Sequence, residues 1–452
     1  MIETSFKEIE SIDNGNLSAS LISDLTKIIE YLLESKALKY YENVLNIVQV
    51  LAISNCYSCE QLINTVVLIS SSIYNFTNET DLIKILQLLL IILNPDIVTK
   101  ESLCSSVYTI CYYSFNTKNL LFWNIAISVL RQMYTLLFPL LSDQNPKLIP
   151  ICLHQLENLA ELMHNKHKYM QAIGIDFLFL IFKNYTKEIA LIKTEDYIKN
   201  LNEKLLLHLN DPMIEMSLLI KIVKFVTSAI QLSSKFCELL VPVFGWASSS
   251  SVLKKYLLLE VLKELLSSFE VLVTLGENSV DSSKAHPLQE IIWRMLKIKK
   301  MTIKLQRRNN VKPLSILDSV KTLGDISDSL LYKKSIIYRE HMNQMLIKVL
   351  YELTKTIQDI FALEYISSNK SFSSRQIEVI ISSLKDVWSE LCELFMSLLN
   401  EAQNEEEVQE TLNVAQNLIE IAGKLKLTPQ MNEVLKKLCE LSLPLHFGIS
   451  FS

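Results

Sequence analysis

The 452-residue sequence contains only seven glycines, whereas an average composition of about 7% would give roughly thirty. Glycine supplies the positive-φ turns and the close backbone approaches from which phosphate-binding loops are built. This scarcity disfavours nucleotide-binding α/β enzymes and β-sandwiches. A long array of helices, joined by Asn, Asp, Ser and Pro, is expected instead.

The sequence also lacks an excess of basic residues. The formal net charge is −5, whereas nucleic-acid-binding proteins usually carry a basic footprint, so we expect no nucleic-acid partner. The eight cysteines are scattered, and most lie in apolar helical stretches, as Cys104, Cys111 and Cys392 do. In a cytosolic chain this pattern predicts buried, reduced thiols.

Membrane-spanning and secretory segments are not predicted. The longest uncharged run, residues 61–78, contains Asn64, three consecutive serines and Asn75. It is too polar for a span of about 20 apolar residues. The first sixteen residues mix charges of both signs and lack an apolar core, so no signal peptide is expected.

Helical periodicity recurs along the whole chain. Apolar residues repeat at helical spacing in two clear examples, which are Leu82, Ile85, Leu86, Leu89, Leu90 and Leu93, and Trp388, Leu391, Cys392, Phe395, Leu398 and Leu399. Such stripes bury one face of a helix. Asp211-Pro212 and Thr428-Pro429 have the pattern of a helix start, and residues 301–305 alternate like a strand. The sequence predicts an all-α fold, an extended α-solenoid of HEAT/armadillo-like helix pairs.

Two polar, turn-rich stretches, residues 275–287 and 306–328, interrupt this pattern. They divide the chain into four expected segments. These are helical domains at 1–145 and 146–280, a basic and polar linker at 281–328, and a C-terminal helical block at 329–452.

Two groups of residues have the composition of chemical sites. Cys56 and Cys59 have the spacing of a redox or half-zinc motif, but zinc needs four ligands and the next cysteine is Cys104. His154, His164 and His167 form a histidine cluster at a polar helix end, without a carboxylate between the last two. We interpret both groups as structural, and expect no catalytic residue, cofactor or metal site.

One charge cluster stands out in this acidic chain. No acidic residue lies between Glu290 and Asp318, and the interval holds eight cations: Arg294, Lys297, Lys299, Lys300, Lys304, Arg307, Arg308 and Lys312. Such a cluster can contact anionic lipid or dock an acidic partner. A solvated linker is the competing interpretation.

Several segments resemble a known family. Residues 119–141 resemble a helix near the end of the DCB domain of large Arf exchange factors and of the Mon-two (monensin-sensitivity-two) family. The matching residues are Asn124, Ala126, Leu130, Arg131, Gln132 and Phe138. Leu86-Gln87 resembles the preceding leucine–glutamine helix, and residues 153–159 and 174–182 resemble the opening of the HUS domain.

The C-terminal block favours Mon-two over the exchange factors. Leu398-Leu399, Leu425–Leu427 and Ser442–His446 resemble, in order, the Mon-two segment after HUS, with Gly423 as its turn glycine. The Sec-seven catalytic domain and its glutamate finger are not found, nor is the Asn-aromatic-Asp-Cys HUS box.

The resemblance implies a DCB-like domain at 1–145, a HUS-like domain at 146–280 and a post-HUS block at 329–452. It implies a non-catalytic peripheral membrane scaffold in vesicle-mediated transport between endosomes and the trans-Golgi network. It further implies a Dopey-type protein and an Arf-like small GTPase as partners, and homodimerisation through the DCB-like domain. The expected location is cytoplasmic, peripheral on trans-Golgi and endosome membranes.

Two alternatives stay open. A nuclear-transport-type HEAT adaptor would share the fold and the acidic charge, but would bind Ran and cargo. An enzyme using the Cys56/Cys59 or the His164/His167 pair would contain stoichiometric zinc.

Overall fold

A computed structural model describes most of the chain. The described residues are 19–35, 40–54, 57–76, 78–117, 119–142, 145–192, 195–211, 214–232, 234–249, 251–267, 287–308, 339–366, 374–402 and 405–442. Cys56, Pro212, Lys312, the polar stretch 275–286 and residues 443–446 of the C-terminal resemblance lie outside them. By backbone contacts the chain divides into two units, Met1–Thr194 and Glu195–Ser452.

The first unit is helical throughout its described part. Its α-helices are α1 Ala19–Glu34, α2 Tyr41–Ile53, α3 Cys59–Ser71, α4 Glu79–Ile92, α5 Glu101–Phe115, α6 Leu120–Leu137, α7 Ile149–Met163, α8 Lys168–Asn184 and α9 Thr186–Ala190. Short 3-10 turns at Ile73–Asn75, Phe138–Leu140 and Pro146–Leu148 connect them.

Alternate helices of this unit form two layers. Helices α1, α3, α5 and α7 contact one another in succession, and so do α2, α4, α6 and α8. Burying one apolar face of each helix between the layers gives a continuous core. Packing continues across the expected boundary at 145/146, because α5 contacts α7 and α6 contacts α8.

Helices within one layer run parallel. At the N-terminal ends of α4 and α6, the Asn119 amide donates to the Glu79 carboxylate over 3.4 Å. At their C-terminal ends, the Gln132 amide donates to the Leu90 carbonyl over 3.1 Å. Three ring contacts pair α6 and α8 in the same order: Trp123 with Tyr169, Tyr134 with Phe177, and Phe138 with Tyr185. Parallel alternate helices are what a stack of antiparallel helix pairs produces.

The second unit contains ten α-helices in its described part. They are α10 Glu195–Asn210, α11 Met216–Leu232, α12 Leu240–Gly245, α13 Val252–Leu266, α14 Pro287–Arg308, α15 Arg339–Ile366, α16 Ser374–Asp386, α17 Trp388–Leu399, α18 Glu405–Lys424 and α19 Thr428–Ser442. Two 3-10 helices, Ser234–Leu239 and Trp246–Ser248, flank α12.

The same two-layer pattern recurs here. Helices α11, α13, α15 and α18 are successive neighbours in one layer, and the turn Trp246–Ser248 is followed by α14, α17 and α19 in the other. Side-chain pairs along α15 and α18 run in parallel order: Lys348 with Glu410 at 3.9 Å, Thr354 with Asn417 at 3.1 Å, and Gln358 with Glu420 at 2.7 Å. The expected all-α helical-repeat fold is therefore confirmed.

Local sequence signals explain some of the helix starts, and two expectations are corrected. Ser58, Asn78 and Asn119 accept backbone N–H bonds at the starts of α3, α4 and α6, as capping side chains do. The helix expected to start at Asp211-Pro212 begins at Met216. The strand-like alternation at 301–305 lies within α14, because the apolar spacing of the whole segment is helical.

Two glycines have contrasting surroundings. A Cβ on Gly174 of α8 would lie 2.7 Å from the Met163 nitrogen and 2.9 Å from the Leu159 oxygen of α7. The crossing of these helices therefore requires glycine. Gly423 lies inside α18 and has open space around its Cα. The positive-φ residue that ends α18 is instead Lys426, at φ 59°, so the expectation that Gly423 supplies the turn is wrong.

One helical stretch among the described residues, Leu120–Leu140, is long and apolar enough to cross a membrane by length and composition. The sequence prediction of no span considered residues 61–78 and overlooked it. Seven residues of α6 are buried, and the helix contacts α4, α5 and α8.

Candidate interaction surface

The predicted basic cluster begins on a packed helix. Residues 287–308, expected to belong to a linker, form the 22-residue helix α14, which contacts α15, α16 and α17. Ile291, Ile292, Met295 and Ile298 are fully buried, and their spacing forms one apolar face. The linker expectation was wrong here because the apolar residues interleaved with the cations repeat at helical spacing and pack against neighbouring helices.

Lys299 lies at the centre of a buried polar cluster. Its side chain is 1% exposed, and its ammonium donates to the Asn343 amide oxygen and to the Glu401 carboxylate, both over 2.8 Å. The Asn343 amide also donates to the same Glu401 oxygen over 3.2 Å. A cation in the interior needs such partners, because removing it from water costs several kcal/mol. Lys299 is therefore an interior residue with polar partners, and the expectation that it contacts lipid or a partner is wrong for this structure.

Two neighbouring cations form pairs near the surface. Arg294 pairs with Glu290 one turn earlier on the same helix, with 2.6 Å between Nε and the carboxylate. Lys300 lies 3.0 Å from Glu393 of α17, and both side chains are more than half exposed. An exposed pair of this kind contributes no more than about 1 kcal/mol and is screened by salt. It leaves the Lys300 ammonium available to other anions.

Of the remaining predicted cations in α14, only Lys297 has a described side chain. Lys297 is exposed on α14. Lys304, Arg307 and Arg308 belong to the last two turns of the helix backbone, and their side chains lie outside the description. Of the eight predicted residues, the structure therefore places Lys297 and Lys300 on an open surface.

A tryptophan that the sequence prediction did not single out lies on the same surface. Trp293 is 44% exposed, one turn before Lys297 and two turns before Lys300. Spacings of four and three residues place these side chains on one side of a helix, and positions 304 and 307 continue this register along the backbone. We call Trp293, Lys297 and Lys300 the α14 face. The sequence feature that could have identified Trp293 is its helical spacing from Lys297 and Lys300.

The cysteine and histidine candidates are separated from one another. Cys59 is exposed at the first position of α3, and His164 and His167 flank the turn between α7 and α8. His154 lies 4.0 Å from Glu157 of the same helix. Within the described ranges, no three His, Cys, Asp or Glu residues are grouped to hold a metal ion.

The buried thiols have little thiolate character. Burial, and secondarily the charge of Glu101, raises the pKa of the Cys104 thiol to about 12. Burial also raises the pKa of Cys152 to about 12. Because the thiolate is the reactive form, these two cysteines are poor nucleophiles at neutral pH.

A groove of about 580 Å³ opens between the N-terminal ends of α4 and α6. Apolar side chains, including Phe76, Leu82 and Phe122, form most of it, with Asn78, Glu79 and Asn119 among its polar residues. None of its nine lining residues is a histidine, cysteine or lysine.

Comparisons with known proteins add little to this geometry. No protein-family model matches the sequence, and no curated protein matches it significantly. An engineered protein solved by a structural genomics consortium aligns with 92% of this chain and 98% of its own, at 11% identity and a TM-score of 0.26. A structure described as concerning a phosphorylation switch in the interaction between cadherin and beta-catenin aligns with 89% of this chain and 80% of its own, at 11% identity and a TM-score of 0.30. Likeness this weak carries no argument, so the fold class follows from the helix packing itself.

Proposed function

We propose that this protein is a non-catalytic, peripheral membrane scaffold in vesicle-mediated transport between endosomes and the trans-Golgi network. The observation that carries the scaffold role is the two-layer stack of parallel helices in each unit. Stacked helical repeats present long surfaces that bind partner helices without any chemistry. The cellular setting comes from the resemblance to the Mon-two family.

Four of the six matching residues in the 119–141 segment have packing roles, whereas Asn124 and Arg131 are exposed. Ala126, Leu130 and Phe138 of the 119–141 segment are buried. The Gln132 amide donates to the carbonyls of Leu90 and Leu93 at the end of α4. The resemblance thus concerns the scaffold rather than a reactive centre, which agrees with a protein that assembles others.

The proposed partners are a Dopey-type protein and an Arf-like small GTPase, with homodimerisation through the first unit. The test is a tagged pull-down of the full chain from lysate, with a non-hydrolysable GTP analogue or with GDP, read by mass spectrometry. We expect a Dopey-type protein in both samples and an Arf-family GTPase with the GTP analogue alone. Recovery of Ran and nuclear cargo would instead establish the nuclear-transport adaptor.

A metal measurement tests the non-catalytic part of the proposal. We expect the purified full chain to contain far less than one zinc per molecule, measured by inductively coupled plasma mass spectrometry. Stoichiometric zinc that Cys59→Ser removes, and that the matched variant Cys439→Ser keeps, would overturn it, since both thiols are exposed.

A further inference from the structure

We propose that the α14 face binds the surface of an anionic lipid bilayer, with Trp293 inserted at the headgroup level and Lys297 and Lys300 contacting lipid phosphates. This inference rests on the proposed peripheral membrane function and assigns it to one helix face. An exposed tryptophan beside lysines is a combination that suits the bilayer interface, where the indole ring is favoured and lysine stems lie along apolar material.

The orientation of α14 supports this assignment. Its opposite face is anchored in the protein, since Ile292, Met295 and Lys299 are all buried. Helix packing therefore fixes which side chains point outward. Because Trp293, Lys297 and Lys300 come from consecutive turns of one rigid helix, they can meet a flat surface together without an ordering cost for the backbone.

Charge complementarity identifies the occupant. The chain as a whole is acidic, with a net charge of −5, so an anionic membrane repels most of it. The α14 face begins an interval of the sequence without acidic residues, and cations at 304 and 307 continue its register. Lys297 and Lys300 are both exposed and lie one turn apart. Two lysines held side by side match the repeated negative charges of a bilayer surface better than one acidic side chain.

Nearby carboxylates compete with anionic lipid for the cations of α14. Glu393 pairs with Lys300, and Glu290 pairs with Arg294. One basic residue near an anionic leaflet strengthens binding about fivefold, so the two lysines together contribute up to about 25-fold. Removing the competing charge with Glu393→Gln is then expected to increase binding by about two- to fivefold.

The test uses the full chain and vesicles of phosphatidylcholine, with or without 30 mol% phosphatidylserine, in a flotation assay at low salt. We expect binding to the anionic vesicles and a steep loss at high salt. Lys297→Glu/Lys300→Glu should reduce binding at least tenfold. The matched control Lys199→Glu/Lys436→Glu makes the same charge change at exposed positions on α10 and α19, and should reduce it less than threefold.

A fluorescence readout tests the role of Trp293. Brominated phospholipids should quench tryptophan emission of the wild type on binding. Trp293→Phe should keep binding within twofold but lose most of that quenching. Equal quenching in Trp293→Phe, or equal binding by the charge-reversal and control variants, would overturn the inference, as would the absence of binding to anionic vesicles. Loss of the trafficking partners in the pull-down with intact vesicle binding would instead refute the proposed function alone.

Discussion

Replacing Lys299 with methionine should strongly destabilise the second unit. The substitution keeps the length of the buried side chain but removes the ammonium that donates to Asn343 and Glu401. The Glu401 carboxylate then keeps the weaker 3.2 Å bond from Asn343. Breaking a buried pair by removing one partner costs about 3–5 kcal/mol. Glu401 retains 17% exposure, so water partly compensates, and we expect about 3 kcal/mol.

Lys300→Met is the matched control, because it is the same substitution at the next position. Lys300 pairs with Glu393 at the surface, where both side chains are more than half exposed. Its loss should cost no more than about 1 kcal/mol. The measurement is urea unfolding followed by tryptophan fluorescence. Three of the four tryptophans, Trp246, Trp293 and Trp388, belong to the second unit, so the signal mainly reports its stability.

A double variant separates the charge from the packing. If the cost of Lys299→Met comes from the unpaired carboxylate, adding Glu401→Gln should recover a large part of it, giving a coupling free energy above about 1 kcal/mol. Equal midpoints for Lys299→Met and Lys300→Met would refute the argument. Recovery of no stability in the double variant would show that the loss arises from packing instead.

Three further outcomes follow from local geometry. Gly174→Ala should lower the free energy of unfolding by about 1–3 kcal/mol, because its Cβ would meet the α7 backbone at 2.7 Å; Gly423→Ala, with open space around it, should be neutral or raise it by up to about 1 kcal/mol. Lys426→Gly should raise the free energy of unfolding in urea by about 1 kcal/mol, because Lys426 has a φ of 59°. Lys424→Gly, inside the helix, should lower it. If both substitutions changed the free energy of unfolding in the same direction, this reasoning would be wrong. Iodoacetamide at pH 8, followed by peptide mass spectrometry, should modify exposed Cys59 and Cys439 in the native chain and leave Cys104 and Cys152 unmodified until the chain unfolds; fast native labelling of Cys104 would refute its burial.

The fold class could be predicted because the governing signal is local. Leu82, Ile85, Leu86 and Leu89 repeat at helical spacing, and all four are buried in α4. Asn78 precedes this stripe and accepts the backbone N–H of Thr80, so the start of the helix was also encoded locally. Neighbouring residues decide these features, and one sequence is enough to recognise them.

The individual contacts between helices could not be predicted, because each joins residues far apart in the sequence. The Gln132 amide donates to the Leu90 carbonyl 42 positions away, and the sequence around Gln132 contains no sign of this pairing.

The end of α18 could not be predicted for a different reason. Leu427 donates to Ala422 and Lys426 donates to Gly423, the Schellman pattern. That pattern places lysine rather than the nearby glycine in the left-handed position.

In the basic cluster, neighbouring cations differ sharply in their exposure to solvent. Lys299 and Lys300 are adjacent and chemically identical, yet one is 1% exposed and the other 59% exposed. Helix register places Lys299 on the buried side of α14 with Ile292 and Met295, and its polar partners there, Asn343 and Glu401, lie 44 and 102 positions away. A charge-reversal experiment that includes Lys299 would bury two carboxylates together and unfold the second unit. Loss of membrane binding would then follow from unfolding alone. Only substitutions confined to the α14 face can therefore decide whether these cations bind lipid.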